Sequence, residues 1–429
     1  MSSLESLASS ADTLASALRS ILPSARPERF HTLITRLRDE LDVPGDADLW
    51  LASAPGRTEL AGNHTDHNRG RVLAASVSLD SIAAVRRRDD GLVRLASEGF
   101  PLVEVDVSDT SARDAEREST AALVRGVAAG FSRAGFEVAG FDATASSTVQ
   151  PGSGLSSSAS IEVLIGAIFD ALANDGRVGS TKVAQIGQFA ENTYFGKPSG
   201  LMDQVACATG GVVAIDFAAD EPKIERVDAD FGAAGLALLV VDTGANHADL
   251  TDEYAAIPAD MRAVAAALGG EVLRDVDAST FFAAAPMLRR QVGDRAVSRA
   301  IHYYDENARV DRMVRALRED RVDEYLALMA ESGRSSGIYL QNCVPVKNPD
   351  EQGVVIALAL TEHFFSDAGL RNGVHGACRV HGGGFAGTIQ VLLPSDRVEA
   401  YTSFMSEHLG TEAVTPLEIR NLGALAAPA

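Results

Sequence analysis

The sequence is short of cysteine, of tryptophan, of long apolar runs and of basic charge, and each shortage excludes a class. Its three cysteines, Cys207, Cys343 and Cys378, are odd in number and widely spaced in 429 residues. They make no disulfide framework and match no metal-ligand spacing, so they read as small buried hydrophobes of a protein kept in a reducing cytoplasm. Lys and Arg number 38 against 59 Asp and Glu, a net charge of −21 with His neutral. That balance argues against binding a nucleic-acid backbone, although an acidic protein can still carry a locally positive site for a small phosphorylated molecule. No stretch approaches the ~20 apolar residues that span a bilayer. The longest apolar run lies between Asp230 and Asp242 and reads as a buried strand. The first residues, MSSLESLASSADTLASALRS, carry Glu5 and Asp12 without a positive leader or a continuous apolar core, so no signal peptide is expected.

What is present is ordinary for a globular protein: 46% apolar and 23% charged residues, in a chain long enough for two domains. No internal repeat appears. Leu4, Leu7, Leu14, Leu18 and Ile21 recur at helical spacing before Pro23, and Phe30, Leu33, Ile34 and Leu37 do so after Pro27. From Trp50 the texture turns strand-like, as in RVLAASVSLD and SIAAVRRRD. Residues 156–173 read as an amphipathic helix with Ile161, Leu164, Ile165, Ile168 and Leu172 on one face. GGVVAIDF, LALLVVDT and FAGTIQVLLP read as strands, and the run from Arg309 to Leu328 as one helix. The class is α+β, with a helical extension over 1–27, an N-terminal domain over 28–217 and a C-terminal domain over 218–429.

Four clusters concentrate chemistry. The first is the loop Val149-Gln150-Pro151-Gly152-Ser153-Gly154-Leu155-Ser156-Ser157-Ser158-Ala159, which runs into the 156–173 helix. Glycines let backbone N–H groups converge on an anion, and a helix N-terminus adds its free donors and dipole. The loop has neither the Lys of a Walker A motif nor the spacing of a Rossmann turn; an ordinary helix-capping loop is the plain alternative. The second cluster, Ala54 to Asn68, gathers Arg57, Asn63, His64, Asp66, His67 and Asn68 between glycines. These groups suit sugar hydroxyls, while His64, Asp66 and His67 fit no common zinc spacing; a solvated turn is the alternative. The third, Glu191 to Gln204, holds Asp203 among apolar residues, where burial is expected to raise its pKa towards that of a working base. A helix cap or buried ion pair is the other reading. The fourth, His381-Gly382-Gly383-Gly384-Phe385-Ala386-Gly387, suggests close backbone approach to another loop or a ligand, or a flexible hairpin turn.

In this order the four clusters resemble the GHMP small-molecule kinases, and among them the galactokinases, in particular a bacterial branch that reads GNHTDHN. APGRTELAGNHTDHNRG is similar to the galactokinase signature, PGSGLSSSAS to the nucleotide-binding motif, GKPSGLMDQ to the catalytic stretch and HGGGFAGTIQVLLP to the third family motif. The resemblance runs from about residue 30 to the C-terminus. It implies a ribosomal-S5-like N-terminal domain and a ferredoxin-like C-terminal domain with the active site between them. It implies phosphorylation of galactose at its anomeric hydroxyl by ATP, the first step of galactose use by the Leloir pathway. ATP would lie over Pro151–Ala159, and Mg²⁺ would be held by Ser158 and Glu191. Asp203 would be the base and Arg57 its partner. Asn63, His64, Asp66, Gly200 and Tyr254 would face the sugar. A monomer or weak homo-oligomer is expected, with sugar and ATP as its partners.

Two positions depart from the usual signature: Asn63 stands where Glu is common, and His67 where Tyr is. The usual Glu accepts from the C6 hydroxyl, so an uncharged Asn63 keeps a C6-modified sugar such as galacturonate open as a substrate. Both residues also fit the GNHTDHN branch with galactose. The segment with Asn246 and His247 resembles the usual stretch before the sugar tyrosine, while AAIPADMR after Tyr254 replaces an Arg-rich continuation. A non-catalytic sugar sensor would lack parts of the serine loop, yet Ser157, Ser158, Ala159 and Asp203 are all present. Mevalonate or homoserine kinases would lack the NHTD motif.

Overall fold

In the computed structural model, residues 2–23, 25–150, 152, 154–197, 199–244 and 250–429 are described. Their strands, in chain order, are β1 (Trp50–Ala61), β2 (Arg71–Arg88), β3 (Leu92–Ser97), β4 (Val103–Asp106), β5 (Gly140–Ser147) and β6 (Val212–Asp216). They continue with β7 (Lys223–Val227), β8 (Leu236–Asp242), β9 (Ala377–Val380), β10 (Thr388–Pro394), β11 (Val414–Leu417) and β12 (Leu425–Pro428). One sheet runs β12-β1-β2-β5-β3-β4, with β6 also on β2 and β7 on β6; the other runs β11-β8-β10-β9. The first sheet therefore takes in two strands from beyond residue 217.

β1 is buried along nearly its whole length because it has cover on both sides. Ala52 and Ala54 join a core built with the helices Thr120–Arg133, Ser157–Ala173, Ser180–Ala190 and Met202–Thr209. Leu51 meets Leu4, Leu7, Leu14, Leu18, Phe30, Ile34 and Leu37 on the opposite face, so the N-terminal helices cover this side of the sheet. Further along, Leu60 and Ala61 enter a third core shared with the helices Asp294–Arg318 and Val322–Ser335. The pairing of β1 with β2 slips between Pro55 and Arg57 and again between Glu59 and Ala61. Such irregularities bend a strand and re-aim its side chains, here at the residues that carry the second motif.

Two sequence expectations change. The helix Ser157–Ala173 is buried nearly all round rather than on one face, because Ser160, Glu162 and Asp170 are themselves inside the protein. The run from Arg309 to Leu328 is two helices, Asp294–Arg318 and Val322–Ser335, separated where Asp320 takes a left-handed φ of 52°. The strands expected at 210–217, 236–243 and 385–394 are present as β6, β8 and β10, and all three cysteines are free and buried.

Candidate active site

The serine loop is pinned from below by β1. The Arg57 N–H donates to the Leu155 carbonyl at 3.1 Å, and the Arg57 guanidinium donates to the Gly154 carbonyl. Gly154 has φ 72°, and a Cβ there would stand 2.5 Å from Thr388 Oγ1 and 3.1 Å from His381 Nδ1. The fourth cluster thus meets the loop through the His381 side chain rather than through its glycines. Leu155 and Ala159 anchor the loop in two cores, while Ser156, Ser157 and Ser158 remain half-buried at the start of the helix. Gly152 is exposed with open space around it. Pro151 and Ser153 lie outside the described residues, as do Asn246 and His247.

Asp203 sits in the first turn of the helix Met202–Thr209 and meets Arg57 in a two-pronged ion pair. Arg57 Nε donates to Oδ1 and Nη2 to Oδ2, both at 2.7 Å, and the Ser156 hydroxyl donates to Oδ2 as well. Burial pushes the Asp203 carboxyl up, but the Arg57 charge and bonds, with Ser156, outweigh it and hold Asp203 below the usual carboxylate range. The expected rise therefore does not occur. The reason is the guanidinium, which reaches Asp203 from 146 residues away.

Glu191 opens a wide helical turn that closes where the Gly196 N–H donates to its carbonyl at 2.9 Å. Its buried carboxylate accepts from Ser158 Oγ at 2.9 Å, Lys197 Nζ at 3.1 Å, Ser199 Oγ at 2.6 Å and Gln204 Nε2 at 2.9 Å. Ser158 and Glu191 are thus brought together as the resemblance implied. Lys197, Ser199 and Gln204 drew no role from the sequence, although all three lie within the third cluster. Gln204 Nε2 also donates to Glu162 at 2.9 Å. Burial and then the Glu191 charge drive Glu162 far above the carboxylate range. Nothing in the spacing of the helix Ser157–Ala173 marked this residue.

The second cluster leaves β1 through a turn at Gly62, whose φ of 95° and close approach to Arg71 O (2.5 Å from a Cβ) exclude a side chain. His64 also has positive φ, 60°, and its Nε2 lies 2.9 Å from the Gly383 carbonyl. Burial pulls the His64 pKa down to about 4, so the ring is neutral; with Nε2–H assigned as the donor to Gly383, Nδ1 is left as an acceptor. Asp66 accepts from the His67 N–H at 2.9 Å, and its Oδ2 lies where a Cβ on Gly200 would be, at 1.9 Å. This contact joins the sugar motif to the stretch three residues before Asp203. The Tyr254 hydroxyl donates to the Gly384 carbonyl at 3.1 Å, and burial pushes its pKa up to about 12. Asn63 is fully buried beneath these groups, with hydrogen bonds to Glu59, Gly382 and Asn342. Around it lie residues that the sequence did not single out. His302 Nε2 is 2.9 Å from Asn63 O, Glu306 accepts from the Gly62 N–H at 3.1 Å, and Arg379 pairs with Glu59.

Among the described residues no group of three or more His, Cys, Asp or Glu side chains is arranged to hold a metal. The GHMP kinases N terminal domain family matches residues 122–211, and the galactokinase galactose-binding signature matches residues 42–87. The chain is 34% identical to a galactokinase of Streptomyces coelicolor, over 83% of this chain and 87% of that one. It is 33% identical to the galactokinase of Homo sapiens, over 84% and 88%. In fold it is similar to Lactococcus lactis galactokinase complexed with galactose, at TM-score 0.75 and 24% identity over 92% of this chain and all (100%) of the other. It also shares the fold of a mevalonate kinase, at TM-score 0.59 and 13% identity over 86% and 99%.

Proposed function

This chain belongs to the galactokinases, within the GHMP kinases, and from that membership we propose how its cleft moves a phosphoryl group from ATP to the anomeric hydroxyl of galactose. Phosphoryl transfer rests mainly on positioning and charge stabilisation, and the residues divide along those lines. Asp203, held ionised by Arg57, accepts the proton of the anomeric hydroxyl. Arg57 also steadies the charge of the transferring group. The serine loop, Pro151 to Ala159, cradles the phosphates with backbone N–H groups and the N-terminus of the helix Ser157–Ala173. His64, Asp66, the Gly200 backbone and Tyr254 hold the sugar hydroxyls.

Ser158 and Glu191 suit Mg²⁺: they offer a hydroxyl and a carboxylate 2.9 Å apart. Mg²⁺ commonly takes one or two protein oxygens and fills its remaining positions with phosphates and water. When bound, the ion neutralises charge between the phosphates. Lys197 and Gln204 hold the Glu191 carboxylate in place beside Ser158.

The observation that carries this reading is the two-pronged Arg57–Asp203 pair set against the serine loop. It tells against a sensor, because base, partner and loop are all assembled. Among the described residues no helix is long and apolar enough to cross a membrane. We place the enzyme in the cytoplasm on its three free buried cysteines, as a monomer or weak homo-oligomer without a nucleic-acid partner. ADP release in a coupled assay with Mg·ATP, run with galactose, galacturonate, N-acetylgalactosamine, glucose and no sugar, tests the assignment. Turnover is expected with galactose. Preference for galacturonate would move the assignment to a C6-modified sugar, and nucleotide binding without turnover would restore the sensor.

A further inference from the structure

Three successive carbonyls of the glycine tract are each taken by a different side chain of the sugar cluster. Asn63 Nδ2 donates to Gly382 O at 2.6 Å, His64 Nε2 to Gly383 O at 2.9 Å and the Tyr254 hydroxyl to Gly384 O at 3.1 Å. Asn342 closes this arrangement from the C-terminal half. Its Nδ2 donates to Asn63 Oδ1 at 2.8 Å and to Gly383 O at 3.1 Å, and its carbonyl accepts from the Phe385 N–H at 2.5 Å. A Cβ at Gly384 would lie 2.2 Å from Asn342 O, and one at Gly383 would lie 2.5 Å from the Tyr254 ring. The tract has to be glycine for these contacts to form.

The hydrogen-bonding capacity of Asn63 is fully used. Its amide nitrogen donates to Glu59 Oε1 at 3.1 Å and to Gly382 O, while its amide oxygen accepts from Asn342 Nδ2 and, at 3.4 Å, from Ser336 Oγ. Two donors and two lone pairs are all that an Asn side chain has, and none of this one is exposed (0%). We infer that Asn63 and Asn342 form a buried positioning pair that fixes the glycine tract, and through it His64 and Tyr254, and that Asn63 does not read the substituent at C6 of the sugar. The inference rests on the reading that galactose lies against His64, Asp66 and Tyr254.

Steady-state ADP release with galactose and with 6-deoxygalactose separates the two roles, using wild type, Asn63→Ala, Asn342→Ala and the double variant. Each single substitution is expected to raise KM for both sugars by the same factor, roughly tenfold or more. The larger loss is expected in Asn63→Ala, which removes the bonds to Glu59, Gly382, Ser336 and Asn342, than in Asn342→Ala, which removes those to Asn63 and Gly383. KM for ATP and the ratio of kcat/KM between the two sugars should stay within about twofold of wild type, and the loss in the double variant should be smaller than the two single losses multiplied together, because the Asn63–Asn342 bond cannot be broken twice. Loss of folded protein alone would lower kcat and leave the sugar KM unmoved, which would overturn the positioning role. So would additive losses. So would a sugar ratio that falls to near one in Asn63→Ala and not in Asn342→Ala, since that result means Asn63 touches the C6 hydroxyl. If Asn63→Ala does not fold, Asn342→Ala tests the positioning role by itself, since it removes the bonds of Nδ2 to Asn63 and Gly383, and an unmoved galactose KM there would overturn that role. Wild type inert on galactose would overturn the functional reading beneath the inference instead.

Discussion

Replacing Arg57 with methionine removes the charge that holds Asp203 ionised while keeping most of the side chain's length. The pair meets through two hydrogen bonds of 2.7 Å. Unit charges centred about 4 Å apart at an effective dielectric of ~20 interact by roughly 4 kcal/mol. Burial already pushes the Asp203 carboxyl up. With Arg57 gone, the Ser156 bond and the more distant Lys197 charge are left to oppose it, so the carboxyl should rise. The proposed base works only when ionised. The acidic limb of the kcat/KM profile should therefore move to higher pH by the same amount, and kcat should fall roughly 10²–10³-fold as charge stabilisation in the transition state is lost. The assay is coupled ADP release at saturating Mg·ATP, with galactose varied at each pH. An acidic limb that stays in place while kcat falls would refute Arg57 as the group that keeps Asp203 ionised. A change confined to the galactose KM would refute its part in the transition state. Stability supplies an independent check. The folded pKa of Asp203 is depressed, so the stabilisation from the pair is present above the unfolded value of about 3.9 and lost as pH falls through the folded one. The difference in melting temperature between wild type and variant should accordingly shrink in acid.

Asp203→Asn should fold, because Arg57 and Ser156 can still bond its amide oxygen, but lose about 10²–10⁴ in kcat; turnover like that of wild type would remove Asp203 as the base. Ser158→Ala and Glu191→Gln should raise the Mg²⁺ concentration needed for half-maximal turnover and leave the galactose KM unmoved, and a matching rise in that KM would place them on the sugar side instead. Gly200→Ala puts a methyl group 1.9 Å from Asp66 Oδ2, so Asp66 must turn away. The galactose KM should then rise roughly tenfold, as for one lost polar contact, with KM for ATP little changed; an unaltered galactose KM would show that Asp66 does not hold the sugar.

The sequence made the fold readable where one local signal decided the outcome. The helix–Pro–helix rhythm before residue 45 and the apolar runs of β6, β8 and β10 needed no distant partner to be recognised. The helix Ser157–Ala173 misled because apolar spacing was taken to mean that its other face meets solvent. In the structure Ser160 donates to Ala54 O at 2.9 Å, Gln204 donates to Glu162 at 2.9 Å, and Asp170 accepts from the Val178 N–H at 3.1 Å. Those polar groups find hydrogen-bond partners inside the protein, although Glu162 keeps one oxygen without a partner, and periodicity alone cannot separate a solvated face from a buried polar one. The end of the helix at Arg318 was hidden for another reason. Neither Gly nor Pro marks it, and the left-handed residue is Asp320, a residue type that adopts this conformation often enough to need no sequence warning.

The site divides in the same way. Its motifs were legible because the serine loop, the Asp203 stretch and the turn after β1 each occupy a few consecutive residues, whereas the surroundings of Asp203, Asn63 and Glu59 depend on partners 146 to 320 residues distant. Asp203 looked like a carboxyl raised by burial until Arg57 was placed beside it. The amide oxygen of Asn63 is taken by Asn342, 279 residues away, which no local pattern announces. Glu59 meets Arg379 across 320 residues, and Glu306 reaches the Gly62 N–H across 244. A buried charge left without its partner costs more than an intact pair contributes, so this network constrains the sugar turn more strongly than the turn's own sequence does. The same turn motif on a different C-terminal half would retain its hydroxyl-binding groups without the contacts that aim them. That is why the motifs could be read from the sequence, while the contacts that hold each side chain in place emerged only from the fold.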